Sequence, residues 1–251
     1  MKTPNPQNIP GIFNYCNRWC ERCPFSDRCT LYQQEHGDWP DEDADMNEDA
    51  FWDKLKGNLE NSMDMLQELA DEQGIDLNEI TQEEQEEAYH EMQVNELMVD
   101  INPLSNLTSD YLDTCLTWVK NSEIWASLHE HIHLQSGDKI NELEAIRDES
   151  LEVIQWYMTL IPSKVHVALN SKEEADFWDQ YPVEERHYNG IAKLILVCLK
   201  DSLEAWEGLE SLFSSAPEQL LYAKSLLSTI ESQIRAQFPD AELFKRPGFD
   251  S

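Results

Sequence analysis

Between residues 48 and 238 the apolar side chains recur every three or four positions, and no stretch alternates apolar with polar residues as a strand would. A chain patterned this way can bury its apolar stripes only by packing helix against helix. The first helix is expected over 48–73, with Phe51, Leu55, Leu59, Met63, Leu66 and Leu69 on one face and Gly74 as its stop. A second, over 78–99, is polar at its start and apolar later, through Tyr89, Met92, Leu97 and Met98. Pro103 opens a third, whose stripe of Leu112, Leu116, Val119 and Trp125 reaches toward His133 and closes at Ser136-Gly137.

A fourth helix over 138–169 aligns Ile140, Leu143, Ile146, Ile154, Tyr157, Ile161, Val165 and Ala168, and its Pro162 predicts a bend. Pro182 suits the first turn of a fifth, the most apolar, running to about Phe213 through Ile191, Leu194, Ile195, Cys198, Leu203, Trp206 and Leu209. The last spans 217–238 and ends before Pro239. No self-similarity of solenoid period appears. The fold expected is all-α, an irregular antiparallel bundle of about six helices over 48–239. It is preceded by a cysteine segment over 1–37 and an acidic linker over 38–47, and followed by a tail over 240–251 expected to pack as an extended strap through Phe244 and Phe249.

The cysteine segment carries the chemistry. Cys16, Cys20, Cys23 and Cys29 stand in a C-x3-C-x2-C-x5-C spacing that brings four thiols together when the chain coils tightly. Thiolates bind soft or borderline metals, and four of them suit a tetrahedral zinc ion or a four-iron cluster. Structural zinc sites pair short knuckles across a longer loop, whereas these ligands crowd into one segment without knuckle glycines. An iron–sulfur cluster offers separate iron corners and tolerates crowded, unequal spacing, and the Cys23-Pro24 step is in keeping with ferredoxin-like ligation. An iron–sulfur centre is therefore the leading expectation and zinc the alternative. The first three cysteines also match the motif of radical enzymes that cleave S-adenosylmethionine, but Cys29 can fill the corner those enzymes leave open, and helices follow instead of a barrel. Phe13, Tyr15, Trp19, Phe25, Leu31 and Tyr32 give the segment an apolar outside that can lie on a larger body. Cys115 and Cys198 sit inside apolar stripes, where a thiol acts as a small hydrophobe.

Fifty acidic against 18 basic residues give a net charge of -32, a field that repels nucleic acid and anionic membrane alike, so a protein partner is expected. The longest apolar run, Leu194 to Leu199, lies between Lys193 and Lys200 and is too short to span a bilayer. The first residues lack a secretory leader pattern, and a cytoplasmic location is expected. Asp41, Asp43 and Asp45 suggest a calcium loop, but Met46 and Trp52 occupy the positions that need Gly and Glu. Eight glycines leave little material for phosphate-cradling loops.

A second metal site is conceivable on the helices. Glu87 with His90, and Glu130 with His133, each put a carboxylate and an imidazole on one helical face, as di-iron carboxylate bundles do. Glu184 with His187 repeats the spacing, and Glu149, Glu152, Glu204 or Glu207 could complete a site. Solvated helix faces account for the same pattern. His129 and His133 share a face while His131 points away, and His166 and His187 read as structural. Arg147 and Lys164 border the fourth stripe and are expected to pair with acids.

The stretch Ile9-Pro-Gly-Ile-Phe-Asn-Tyr-Cys16, with Trp156-Tyr157, Ile161-Pro-Ser-Lys164, Phe238-Pro239 and Arg246-Pro-Gly-Phe-Asp250, resembles a family of uncharacterised bacterial helical proteins with an N-terminal four-cysteine segment. The resemblance covers nearly the whole chain and implies no activity. The functional expectation is a metal-binding helical protein whose centre serves electron transfer or redox sensing. The alternatives are an acidic interaction scaffold pinned by zinc and a di-metal oxidase within the bundle.

Overall fold

The computed structural model describes residues 6–37, 48–74, 76, 80–135 and 137–250. The acidic linker expected over 38–47 lies outside them. Two compact units divide the chain: Met1–Thr30 with Asn95–Ser251, and Leu31–Val94. Among the described residues every regular element is helical. No helix among them is long and apolar enough to cross a membrane.

The second unit holds α1 (Thr30–Gly37) from Leu31 onward, α2 (Glu48–Gln73) and the start of α3 (Gln82–Asp100). On α2 the apolar periodicity forms the helix without burying it. Leu55, Leu59, Met63 and Leu66 are 39% to 64% exposed.

In the first unit, α4 (Pro103–Val119), α5 (Ser122–His133), α6 (Asp138–Glu173), α8 (His187–Glu210) and α9 (Glu218–Gln237) surround one core, with the short α7 (Ala175–Trp178) between α6 and α8. The end of α3 contributes Val99 to that core. The pairing of α6 with α8 is the most extensive and forms its spine. At its centre Trp118, Trp206 and Tyr111 are almost fully buried, and the Trp206 indole N–H donates to the Tyr111 hydroxyl at 3.2 Å.

The stripe expected as one helix from Pro103 to His133 is divided in two. Asn121 turns its side chain onto the Ile124 N–H at 3.2 Å and caps a new helix, while the Trp125 indole donates to the Trp118 and Val119 carbonyls that end the previous one. An apolar period runs on across such a break because both halves face the same core. The fifth expected helix likewise begins later than Pro182. Pro182 opens a 3-10 turn over Val183–Glu185, and α8 starts at His187. α6 runs through Pro162 and on to Glu173.

Candidate metal centre

Three 3-10 turns, Ile12–Asn14, Cys20–Arg22 and Ser26–Arg28, coil the cysteine segment. Cys20 opens the second turn and Cys23 closes it, its N–H donating to the Cys20 carbonyl at 3.1 Å; Cys29 closes the third. Between Cys16 and Cys20 the chain reverses at Arg18, whose φ of 59° is the one left-handed value for a non-glycine among the described residues. Such a conformation costs about 1 kcal/mol or more for an L residue and persists only where the surroundings enforce it.

Two hydrogen bonds hold sulfurs in the coil. The Phe25 N–H donates to Cys23 Sγ at 3.4 Å, and the Cys16 thiol donates to the Phe13 carbonyl at 3.6 Å. The first joins a sulfur to the amide two residues on, placing a partial positive charge against an atom that must carry negative charge as a ligand. Burial raises the Cys16 thiol above its ordinary value; the Arg18 amide and guanidinium oppose this, while Cys23 and Cys29 add to it. Cys16 thus lies within electrostatic reach of two of its three companions. No disulfide joins any of the six cysteines.

The segment is fastened to the bundle by its aromatic residues. Trp19 is 6% exposed, stacks on Trp156 with ring centres 5.0 Å apart, and meets Tyr157 edge-on at 6.1 Å. The Trp156 indole donates to the Asn17 carbonyl at 2.9 Å. The Asn17 amide donates to the Tyr157 hydroxyl at 2.7 Å, which donates in turn to Asp201 at 3.0 Å. Arg22 covers the Trp19 ring at 3.9 Å and pairs with Glu149 and Glu152 on α6. Beside these contacts opens a cleft of about 410 Å³, lined by Asn17, Trp19, Arg22, Tyr157, Asp201 and Glu204.

The tail packs on the other side through Phe244 and Phe249, though it is not extended throughout as expected, because Ala241–Leu243 forms a 3-10 turn. Phe244 packs on Tyr15 at 4.5 Å and Phe249 meets Phe25 edge-on at 5.3 Å. Asp250 accepts from the Arg246 backbone N–H at 2.9 Å and from Lys193 at 2.8 Å. Burial alone would raise the Asp250 carboxyl, but the Arg246 and Lys193 bonds outweigh it and hold it well below the carboxylate range. Its contribution is complete above the ordinary value of 3.8 and is lost as pH falls below that. His187 works in a higher window. Its Nδ1 lies 3.0 Å from the Tyr15 hydroxyl, and burial first, then Lys164, lowers it below 6.5. The folded imidazole resists a proton that the unfolded chain accepts, so stability falls as pH drops below 6.5.

Acid unfolding should therefore show an upper phase absent in His187→Gln and a lower one absent in Asp250→Asn. Thermal midpoints between pH 7.5 and 3 measure both. Above the lower phase, Asp250→Asn should cost about 1.5 kcal/mol, the low end for hydrogen bonds to a charged group, because the carboxylate keeps some contact with water.

Several of these residues carry no sequence motif. Asn17 and Asp201 are unremarkable in the chain, Tyr15 stands out there only as an apolar contact, and His187, expected to be structural, gains Tyr15 and a stacked Trp178. Lys164 is half-buried and feels Arg18, Cys16 and Cys198, so it faces the cysteine segment. Cys115 and Cys198 are wholly buried, and burial pushes the Cys115 thiol up to about 12. Glu87 and His90 are exposed in the second unit, and Glu130 and His133 are exposed in the first. Within its own unit His133 stands with His129 and Glu144, their ligand atoms within 4.8 Å of one another. Among the described residues the cysteine sulfurs form no such close group. No family model, curated protein or solved structure matches this chain.

Proposed function

We propose that Cys16, Cys20, Cys23 and Cys29 hold an iron–sulfur cluster and that the protein serves electron transfer or redox sensing. The observation that carries this reading is the Phe25 N–H bond to Cys23 Sγ within a segment whose 3-10 turns begin or end at Cys20, Cys23 and Cys29. A backbone donor on a sulfur stabilises the thiolate that a cluster ligand must be. When bound, such a cluster supplies one-electron exchange, at a potential set by charge, sulfur hydrogen bonds and exposure.

The residues around the segment have roles that follow from their placement. The Phe25 amide offsets charge on the Cys23 sulfur, and Lys164 and Arg18 add cationic charge beside Cys16. Trp19 and Trp156 exclude water from one flank, while the cleft beside Asn17 leaves room for a small donor, an acceptor or a partner side chain.

Anaerobic purification followed by iron, acid-labile sulfide and zinc analysis tests the reading. Iron and sulfide in equal amounts, with broad visible absorbance bleached by reductant, are expected. Stoichiometric zinc without sulfide would overturn it in favour of a structural pin. Serine at any of the four positions should abolish the absorbance. Cys115→Ser and Cys198→Ser should keep it and act only through packing.

A further inference from the structure

We propose that His129, His133 and Glu144 form a second metal site, separate from the cysteines, that takes a borderline divalent ion of the zinc class and clamps α5 to α6. The two imidazoles lie one turn apart near the end of α5, with ring centres 4.0 Å apart, and Glu144 reaches them from the second turn of α6. The ligand atoms of all three fall within 4.8 Å of one another. Tetrahedral coordination at about 2.1 Å needs ligand atoms about 3.4 Å apart, so closure takes up to about 1.4 Å of side-chain movement. Both imidazoles are exposed and can make it by small rotations.

Three further features suit a cation here. His133 Nδ1 lies 3.1 Å from the His129 carbonyl; donating there leaves Nε2 with its lone pair free, the arrangement in which ligating imidazoles are usually held. The last turn of α5 carries the negative end of its helix dipole, and the net charge of -32 concentrates cations at the surface. Arg147, 3.6 Å from Glu144, is the competing cation, but its shorter contact is with Asp148 at 2.8 Å, so Glu144 can be released without stranding it. Three protein ligands leave a fourth position for water, which gives an exchangeable site.

Cobalt(II) titration of the purified full chain reads the site, because thiolate-bound cobalt has intense near-ultraviolet charge transfer that nitrogen and oxygen ligands lack. One equivalent should bind with visible bands and no thiolate charge transfer, whatever occupies the cysteines, and zinc should displace it. His129→Ala, His133→Ala and Glu144→Gln should each weaken it by more than the about 10–100-fold that loss of a supporting partner costs. All three positions lie at the surface, and unchanged circular dichroism confirms folding. Saturation without such an equivalent would overturn the proposal. So would an equivalent that survives the histidine substitutions, and one indifferent to Glu144→Gln would reduce it to a histidine pair that does not clamp α6.

Discussion

Trp19→Ala is expected to detach the cysteine segment from the bundle at a cost of about 3–5 kcal/mol, the range for removing a large buried aromatic. Trp19 is almost fully covered, stacked on Trp156 and edge-on to Tyr157, so its loss opens a cavity and removes ring contacts worth about 0.5–1.5 kcal/mol each. The Arg22 pairs with Glu149 and Glu152 look stronger as drawn, but all three side chains are more than a third exposed. Exposed pairs contribute about 0–1 kcal/mol, so Arg22→Ala should have a much smaller effect. Limited proteolysis distinguishes the two. Trp19→Ala should expose residues 12–29 to cleavage while far-ultraviolet dichroism stays near wild type, because α4 to α9 keep their own core. Equal protection in both variants, or greater loss in Arg22→Ala, would remove Trp19 from its anchoring role. Loss of the proposed cluster should follow the same order, since ligand binding energy is available only when the segment is folded.

Gly190→Ala is the second large effect. A methyl group at Gly190 would sit 2.4 Å from Tyr15 Cε1 and 2.7 Å from Phe244 Cζ, so both rings must move. Overpacking of this kind costs about 3 kcal/mol, against a gain of about 1 kcal/mol in helix propensity, leaving a net loss of about 2 kcal/mol. The displaced ring belongs to the residue before Cys16 and carries the hydroxyl held by His187. The variant should therefore lose the proposed cluster more readily than its stability change alone implies. Adding Tyr15→Ala in the same chain should relieve the clash and recover part of the stability. If Gly190→Ala is as stable as wild type, or the double variant is worse than the sum of its parts, close packing at this contact is not what glycine secures.

How far each feature was legible follows from the range of the interactions behind it. The helices over 48–73 and from Pro103 onward were readable because apolar spacing, Pro103 at a helix start and Gly74 act within a few residues. The division at Asn121 was not, because the stripe continues across it and only the Trp125 indole supplies the end carbonyls with a donor. The face of α2 shows the reverse. Leu55, Leu59, Met63 and Leu66 have the pattern of a buried face and are exposed, since periodicity states that a face is apolar and not that anything covers it.

By itself the sequence determined an all-helical chain, a strongly negative surface and four thiols within fourteen residues, because helix period, charge and ligand spacing are properties of neighbours along the chain. Tertiary structure alone decided what surrounds those thiols. Asn17 reaches Tyr157 across 140 positions and Tyr15 reaches His187 across 172, and Phe249 closes on Phe25 from the opposite end of the chain. Contacts at such separations depend on how α6, α8 and the tail pack, and side-chain burial and hydrogen-bond partners come into being only with that packing.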